Sequence, residues 1–71
     1  MKIDEFERML ARAGYALKKA YRSADGATRR VYLRARGGPL VNVEIVRGEI
    51  DEYDAIKVEA ILDEEGFFKS E

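Results

Sequence analysis

Apolar residues recur at helical spacing from the start of the chain. Ile3, Phe6, Met9, Leu10 and Ala13 form one stripe, the pattern of a helix with one side turned to a core. Asp4, followed three residues later by Glu7, makes an acidic version of a capping box, with carboxylates on the free N–H groups of the first turn. Gly14 then supplies the left-handed stop at which many helices end. The pattern predicts a helix from Asp4 to Ala13.

Beyond Gly14 the period shortens to two. Tyr15 to Arg22 is mixed in pattern and rich in tyrosine, and Ser23-Ala24-Asp25-Gly26-Ala27-Thr28 carries an Asp-Gly turn signal. Arg30 to Arg36 alternates: Val31, Leu33 and Ala35 fall to one side, Arg30, Tyr32, Arg34 and Arg36 to the other. Placing the aliphatic set inward leaves the arginines and the tyrosine outward. Gly37-Gly38-Pro39 breaks the chain, and Leu40 to Val46 resumes with Val41, Val43 and Ile45 inward. These segments read as an antiparallel meander with one buried face.

Asp51 to Glu65 supports two readings. Asp51 and Asp54 suit a helix start and Gly66 its end, with Ala55, Val58, Ile61 and Leu62 as a core stripe. Tyr53, Ile56 and Ala60 form a second apolar stripe on nearly the opposite side. Ile56, Val58, Ala60 and Leu62 also alternate as a strand would. The caps and the acidic content favour the helix. The fold class is thus α+β, a helix, a three-stranded antiparallel meander and a helix (α-β-β-β-α), with the last segment as a fourth strand the alternative. Lys69-Ser70-Glu71 reads as a frayed tail.

The 71 residues allow one domain, spanning 1–71. Lacking cysteine, the chain has no disulfide or thiolate metal site to supplement a small core. The start is charged, without the apolar run of a signal peptide, and no stretch reaches the roughly 18 apolar residues of a membrane span. A soluble, cytoplasmic protein is expected. The net charge of −1 conceals a split: Arg8 to Arg36 holds nine basic residues and one acid, Glu44 to Glu71 ten acids and three bases. Either the two sets pack together and neutralise locally, which is expected for most of them, or they form opposite poles that steer partners. Strand order decides between the two.

Catalysis is tested by subtraction. Without histidine or cysteine the usual general base, thiol nucleophile and commonest metal ligands are missing. Ser23 and Thr28 flank a turn, where hydroxyls bond the backbone, and Ser70 sits in the tail. Asp51, Glu52, Asp54, Glu59, Asp63, Glu64 and Glu65 match no calcium-loop spacing. Gly37-Gly38 lacks the lysine and helix of a phosphate loop. The chain reads as no enzyme, with no cofactor and no metal.

Two constellations remain. One is the outward face assigned above, Arg30, Tyr32, Arg34 and Arg36, with Lys18 and Arg22 on the neighbouring strand. Guanidinium groups around an aromatic ring on an open sheet bind phosphates and stack bases. Its plainer reading is a solvated face with Glu44 as cross-strand ion partner. The other is the spare helical stripe, Tyr53, Ile56 and Ala60, bordered by Glu52, Glu59, Asp63 and Glu64. An apolar strip with a charged rim is how a protein interface looks, unless Phe67, Phe68 and the N-terminal helix cover it or the segment is a strand.

The order helix, meander, helix resembles the fold shared by double-stranded RNA-binding domains and HicA-type toxins. Phe6-Glu7-Arg8-Met9-Leu10-Ala11-Arg12-Ala13-Gly14-Tyr15 is similar to the opening helix of HicA proteins, and Ala60-Ile61-Leu62-Asp63-Glu64-Glu65-Gly66-Phe67 to their closing one. The resemblance implies the fold. It does not carry the family's ribonuclease activity, because the Gly-Ser-His turn is replaced by Ser23-Ala24-Asp25-Gly26. The expected function is a small protein-binding regulator or inhibitor whose last helix meets a basic partner. In size and charge it is analogous to phage and mobile-element inhibitors of host nucleic-acid-handling enzymes such as CRISPR effectors. The alternative is a nucleic-acid-binding module using the basic sheet face, and a homodimer is a third possibility.

Overall fold

The computed structural model of the chain describes residues 1–64; Gly66, Phe67, Phe68 and the tail, which entered the expectations above, lie outside that range. Helix α1 spans Ile3–Arg12. Phe6, Leu10 and Ala13 are buried and Ile3 and Met9 half-buried against the same core, so the stripe faces inward as its spacing predicts. Gly14, at φ +89°, closes the helix by donating its N–H to the Ala11 carbonyl at 3.0 Å. The predicted capping box does not form. Lys2 occupies the cap position in extended backbone with no side-chain cap, and Asp4 Oδ1 accepts only the neighbouring Glu5 N–H. The sheet supplies the reason. Lys2 bridges to Glu49 and the Met1 carbonyl accepts the Ile50 N–H at 2.8 Å, which fixes the helix start, while Glu7 is drawn across to the sheet.

Four strands follow, β1 Tyr15–Arg22, β2 Thr28–Arg34, β3 Val41–Val46 and β4 Glu49–Ile50, antiparallel in the order β1-β2-β3-β4. The Asp25-Gly26 turn forms as its sequence predicts. Asp25 Oδ1 accepts the Ala27 N–H at 3.0 Å and the Ser23 hydroxyl, and Gly26 takes φ +91°. Helix α2, Glu52–Glu64, completes the chain. The last segment is therefore a helix, and a fourth strand exists as well, as the two residues ahead of it. Asp51 accepts the Asp54 N–H at 3.2 Å, capping α2. Asp54 Oδ2 accepts the Glu44 N–H at 3.0 Å, where β4 no longer runs beside β3.

The meander's inward face departs from expectation at β2. Cross-strand pairing puts Tyr32 opposite Val41 and Arg30 opposite Val43, so Arg30, Tyr32 and Arg34 share the face of Tyr15, Val41 and Val43. That face meets both helices in one core with Phe6, Leu10, Ala55, Val58 and Leu62. Tyr32 is 1% exposed, and its ring meets Phe6 edge to face with centroids 5.7 Å apart. Val31 and Leu33, assigned inward from the sequence, lie on the sheet's other side. The alternation holds with the opposite face turned to the helices, although Val31 is buried on the outer side. The strand also ends at Arg34, so Arg36 lies in the loop beyond it.

Strand order settles the charge distribution. The basic β1 forms one edge of the sheet, and β4 forms the other, with acidic α2 packed beside β3. Local neutralisation, expected for most charges, is confined among the described residues to Arg29–Glu44, Arg30–Glu7 and the N-terminal amine with Glu49. The basic strand β1 therefore lies two strands away from β3, beside which the acidic helix packs.

Candidate functional site

The seven residues singled out on the last segment, Glu52, Tyr53, Ile56, Glu59, Ala60, Asp63 and Glu64, all fall on α2. At 100° per residue they occupy one continuous arc of roughly 140° with Ile56 near its middle. Ala55, Val58 and Leu62 occupy the opposing arc and are buried, so the arc of seven is turned away from the core. Tyr53 is 69% exposed and Ile56 58%, with Ala60 exposed beside them and Glu59 half-buried. None of the α2 carboxylates makes an ion pair among the described residues. The one cation on the helix, Lys57, lies 5.3 Å from the Tyr53 ring centroid. The two helices thus differ in kind: α1 has a single apolar side, whereas α2 has one apolar side in the core and a second in solvent.

The basic constellation is dispersed. Arg30 Nη1 donates to Glu7 Oε2 at 2.7 Å and the Tyr32 hydroxyl to the same oxygen at 2.8 Å, so one carboxylate on α1 holds both. Arg34 works as a clip. Its Nε donates to the Gly37 carbonyl at 2.8 Å, its Nη1 to the Ala13 carbonyl at 3.4 Å, and its guanidinium covers the Tyr15 ring. The Tyr15 hydroxyl in turn donates to the Pro39 carbonyl at 2.8 Å. Arg30, Tyr32 and Arg34 therefore fasten helix and loop to sheet and do not form an open nucleic-acid face. Arg36 is exposed in the loop, Arg22 is exposed at the end of β1, and Lys18 is the extra residue of a β-bulge where the register steps from Leu17 to Lys19.

Burial, reinforced by the bond to Glu7, pushes the Tyr32 phenol up from 10.0 to about 12. The folded state thus holds this proton more tightly than the unfolded chain. Its contribution to stability is complete below pH 10 and is lost as the pH rises toward about 12. Urea unfolding across that window is expected to show an alkaline loss of stability that Tyr32→Phe reduces. An unchanged alkaline loss in the variant would show that other groups produce it.

The sheet's outer face carries Ala16, Lys19, Tyr21, Arg29, Val31, Leu33, Asn42 and Glu44, continued by Val46 and Glu49. Lys19 sits 5.0 Å from the Tyr21 ring centroid, and Arg29 pairs loosely with Glu44 at 3.9 Å. Lys19, Tyr21 and Arg29 were missed by the sequence reading because it had turned β2 over. The cue that could have righted it is Glu7, a carboxylate on the α1 flank beside Phe6 and Leu10, which needs a cation on the sheet face opposite. Among the described residues no group of acidic side chains is placed to hold a metal ion, and no helix is long and apolar enough to cross a membrane. Comparison with protein-family models, curated proteins and solved structures finds no match to this chain.

Proposed function

We propose that this protein is a small, non-enzymatic protein-binding module, a regulator or inhibitor, that presents the outer arc of α2 to a partner with a basic surface. The observation that carries the reading is the pair Tyr53 and Ile56, one turn apart and more than half exposed on a helix whose other side already fills the core. A large aromatic and a branched aliphatic side chain make the centre of an interface, where most binding energy concentrates. The carboxylates of Glu52, Glu59, Asp63 and Glu64 around them favour a cationic rim on the partner, speeding encounter and setting orientation. Capture would not require the protein to change shape, because α2 is anchored by Asp51, Asp54 and its buried arc.

Size and an acidic helix also fit an inhibitor that occupies a basic, nucleic-acid-handling surface on a host enzyme, as phage and mobile-element inhibitors of CRISPR effectors do. Kinship with HicA-type toxins or double-stranded RNA-binding domains is proposed for the architecture alone, since residues 23–26 carry no histidine.

The test compares the wild-type protein with Tyr53→Ser/Ile56→Ser as bait in cell extract, with bound proteins identified by mass spectrometry. Both substituted side chains are exposed, so the circular dichroism spectrum and thermal midpoint are expected to stay close to wild type. A basic protein retained by the wild type and reduced at least tenfold on the variant supports the reading. Equal capture by the two baits overturns it.

A further inference from the structure

We propose that the free edge of β1 is a sequence-independent binding site for the phosphate backbone of duplex nucleic acid, with Lys18, Lys19 and Arg22 as its phosphate-binding residues. The site lies at a sheet edge two strands from β3, beside which α2 packs, and does not depend on the function assigned to that helix.

The placement follows from the strand order. Among the described residues β1 has a neighbour on one side only, so along its eight residues the alternate backbone N–H groups of the other edge are unpaired by the sheet. The cations flank that edge on both sides. Lys19 is on the sheet's outer face, Arg22 shares the helix-side face through its pairing with Thr28, and Lys18 sits in the bulge. All three are exposed, and none forms an ion pair among the described residues. The helices leave this end uncovered, for Ala20 and Thr28 are exposed although they lie on the helix-side face. The strand carries the chain about 13 Å from Lys18 to Arg22, long enough for the three cations to meet separate phosphates of a duplex.

The local field is not cancelled nearby. No acid lies in β1, and the one acid in the following turn, Asp25, has its carboxylate turned into the turn by Ser23 and Ala27. Arg12 at the end of α1 and Arg36 beyond β2 add exposed positive charge near the first residues of β1. A net charge of −1 argues against a polyanion ligand for the molecule as a whole, but distance resolves the conflict. Two strand spacings put β1 about 10 Å from β3, beside which the acidic α2 packs, whereas screening at physiological salt acts within about 8 Å. A ligand at the basic edge is governed by the charges close to it.

The same edge is poorly suited to a peptide. Two lysines and a bulge are the devices that discourage strand addition, and Leu17 is the only large exposed aliphatic side chain on β1. Phosphates need neither a ladder nor an apolar anchor; cations and N–H donors suffice.

Fluorescence anisotropy of a labelled, mixed-sequence 20-base-pair DNA duplex tests the proposal, using the full chain at 50 and 200 mM salt. Three phosphate contacts give a salt slope near −2.7 and about 40-fold weaker binding at the higher salt. Lys18→Ala/Lys19→Ala/Arg22→Ala is expected to weaken binding at least tenfold at 50 mM with an unchanged circular dichroism spectrum. Tyr53→Ser/Ile56→Ser is expected to bind the duplex as the wild type does, which separates this site from α2. Absence of binding at 50 mM, or binding indifferent to the triple substitution, overturns the proposal. So does sedimentation showing that the protein alone self-associates through these three residues, because the acidic helix of a second copy would then be the ligand of this edge.

Discussion

Phe6→Ala is expected to leave little or no folded protein at room temperature. Phe6 is fully buried at the point where α1 meets β2, with its ring against Tyr32 and its neighbours drawn from both helices and the sheet. Removing a buried phenylalanine side chain costs about 3–5 kcal/mol, including the cavity left behind, and the lost aromatic pair adds about 0.5–1.5 kcal/mol. A chain of 71 residues has a total stability of about 4–11 kcal/mol. The substitution therefore consumes from about a third to all of it, in a protein with no disulfide to compensate. Ile56→Ala removes a side chain of similar hydrophobicity from the outer arc of α2 and is expected to shift stability by less than about 0.5 kcal/mol. Urea titrations followed by circular dichroism compare the two. A Phe6→Ala protein that unfolds cooperatively at a midpoint near that of wild type would contradict the core described above.

The contrast between those two residues shows what could be read from the sequence. Phe6 and Leu10 lie on a single helical stripe, so their burial followed from spacing alone. Ile56 lies on the second stripe of a helix with two, and spacing alone could not say which stripe the core would take. The stripe Ala55, Val58, Ile61 and Leu62 is the one the core takes, with Ala55, Val58 and Leu62 buried and Ile61 half-buried.

At β2 the same reasoning failed for a definite reason. A strand's alternation defines two faces, but which of them meets the helices depends on register and on what the helices offer. Hydrophobicity assigned Val31, Leu33 and Ala35 inward. α1 offers Phe6 and, beside it, Glu7. Tyr32 satisfies both, with its ring on one and its hydroxyl on the other, and the arginine stems bury while their charged ends reach Glu7 or backbone carbonyls. That pairing joins residues more than twenty positions apart, and local pattern carries no trace of it. The charge poles were visible along the chain for the same reason that their arrangement was not: composition is local and strand order is not.

Glu7→Lys is expected to be the most damaging substitution at any residue that is not fully buried. The wild-type carboxylate receives two charge-assisted or phenolic hydrogen bonds through one oxygen, from donors otherwise turned toward the interior. Lysine removes the acceptor of both bonds and sets a cation beside the Arg30 guanidinium. Because Glu7 and Arg30 keep about a third of their side-chain surface in water, at 36% and 28%, the loss falls below that of a fully buried pair, at about 2–3 kcal/mol. Arg30→Glu alone is damaging for the mirrored reason, since two carboxylates then face each other across the helix–sheet contact. Combining the two restores opposite charges with their positions exchanged, and a double-mutant cycle is expected to return a favourable coupling of about 1 kcal/mol or more. The Tyr32 hydroxyl can then donate to the new glutamate, so its bond need not be lost. Additive effects in the cycle would mean that Arg30 and Glu7 do not meet, which would return Arg30 to the solvent face that the sequence first assigned it. A measured coupling instead binds Arg30 into the fold, and leaves the exposed cations of β1 to act on a ligand.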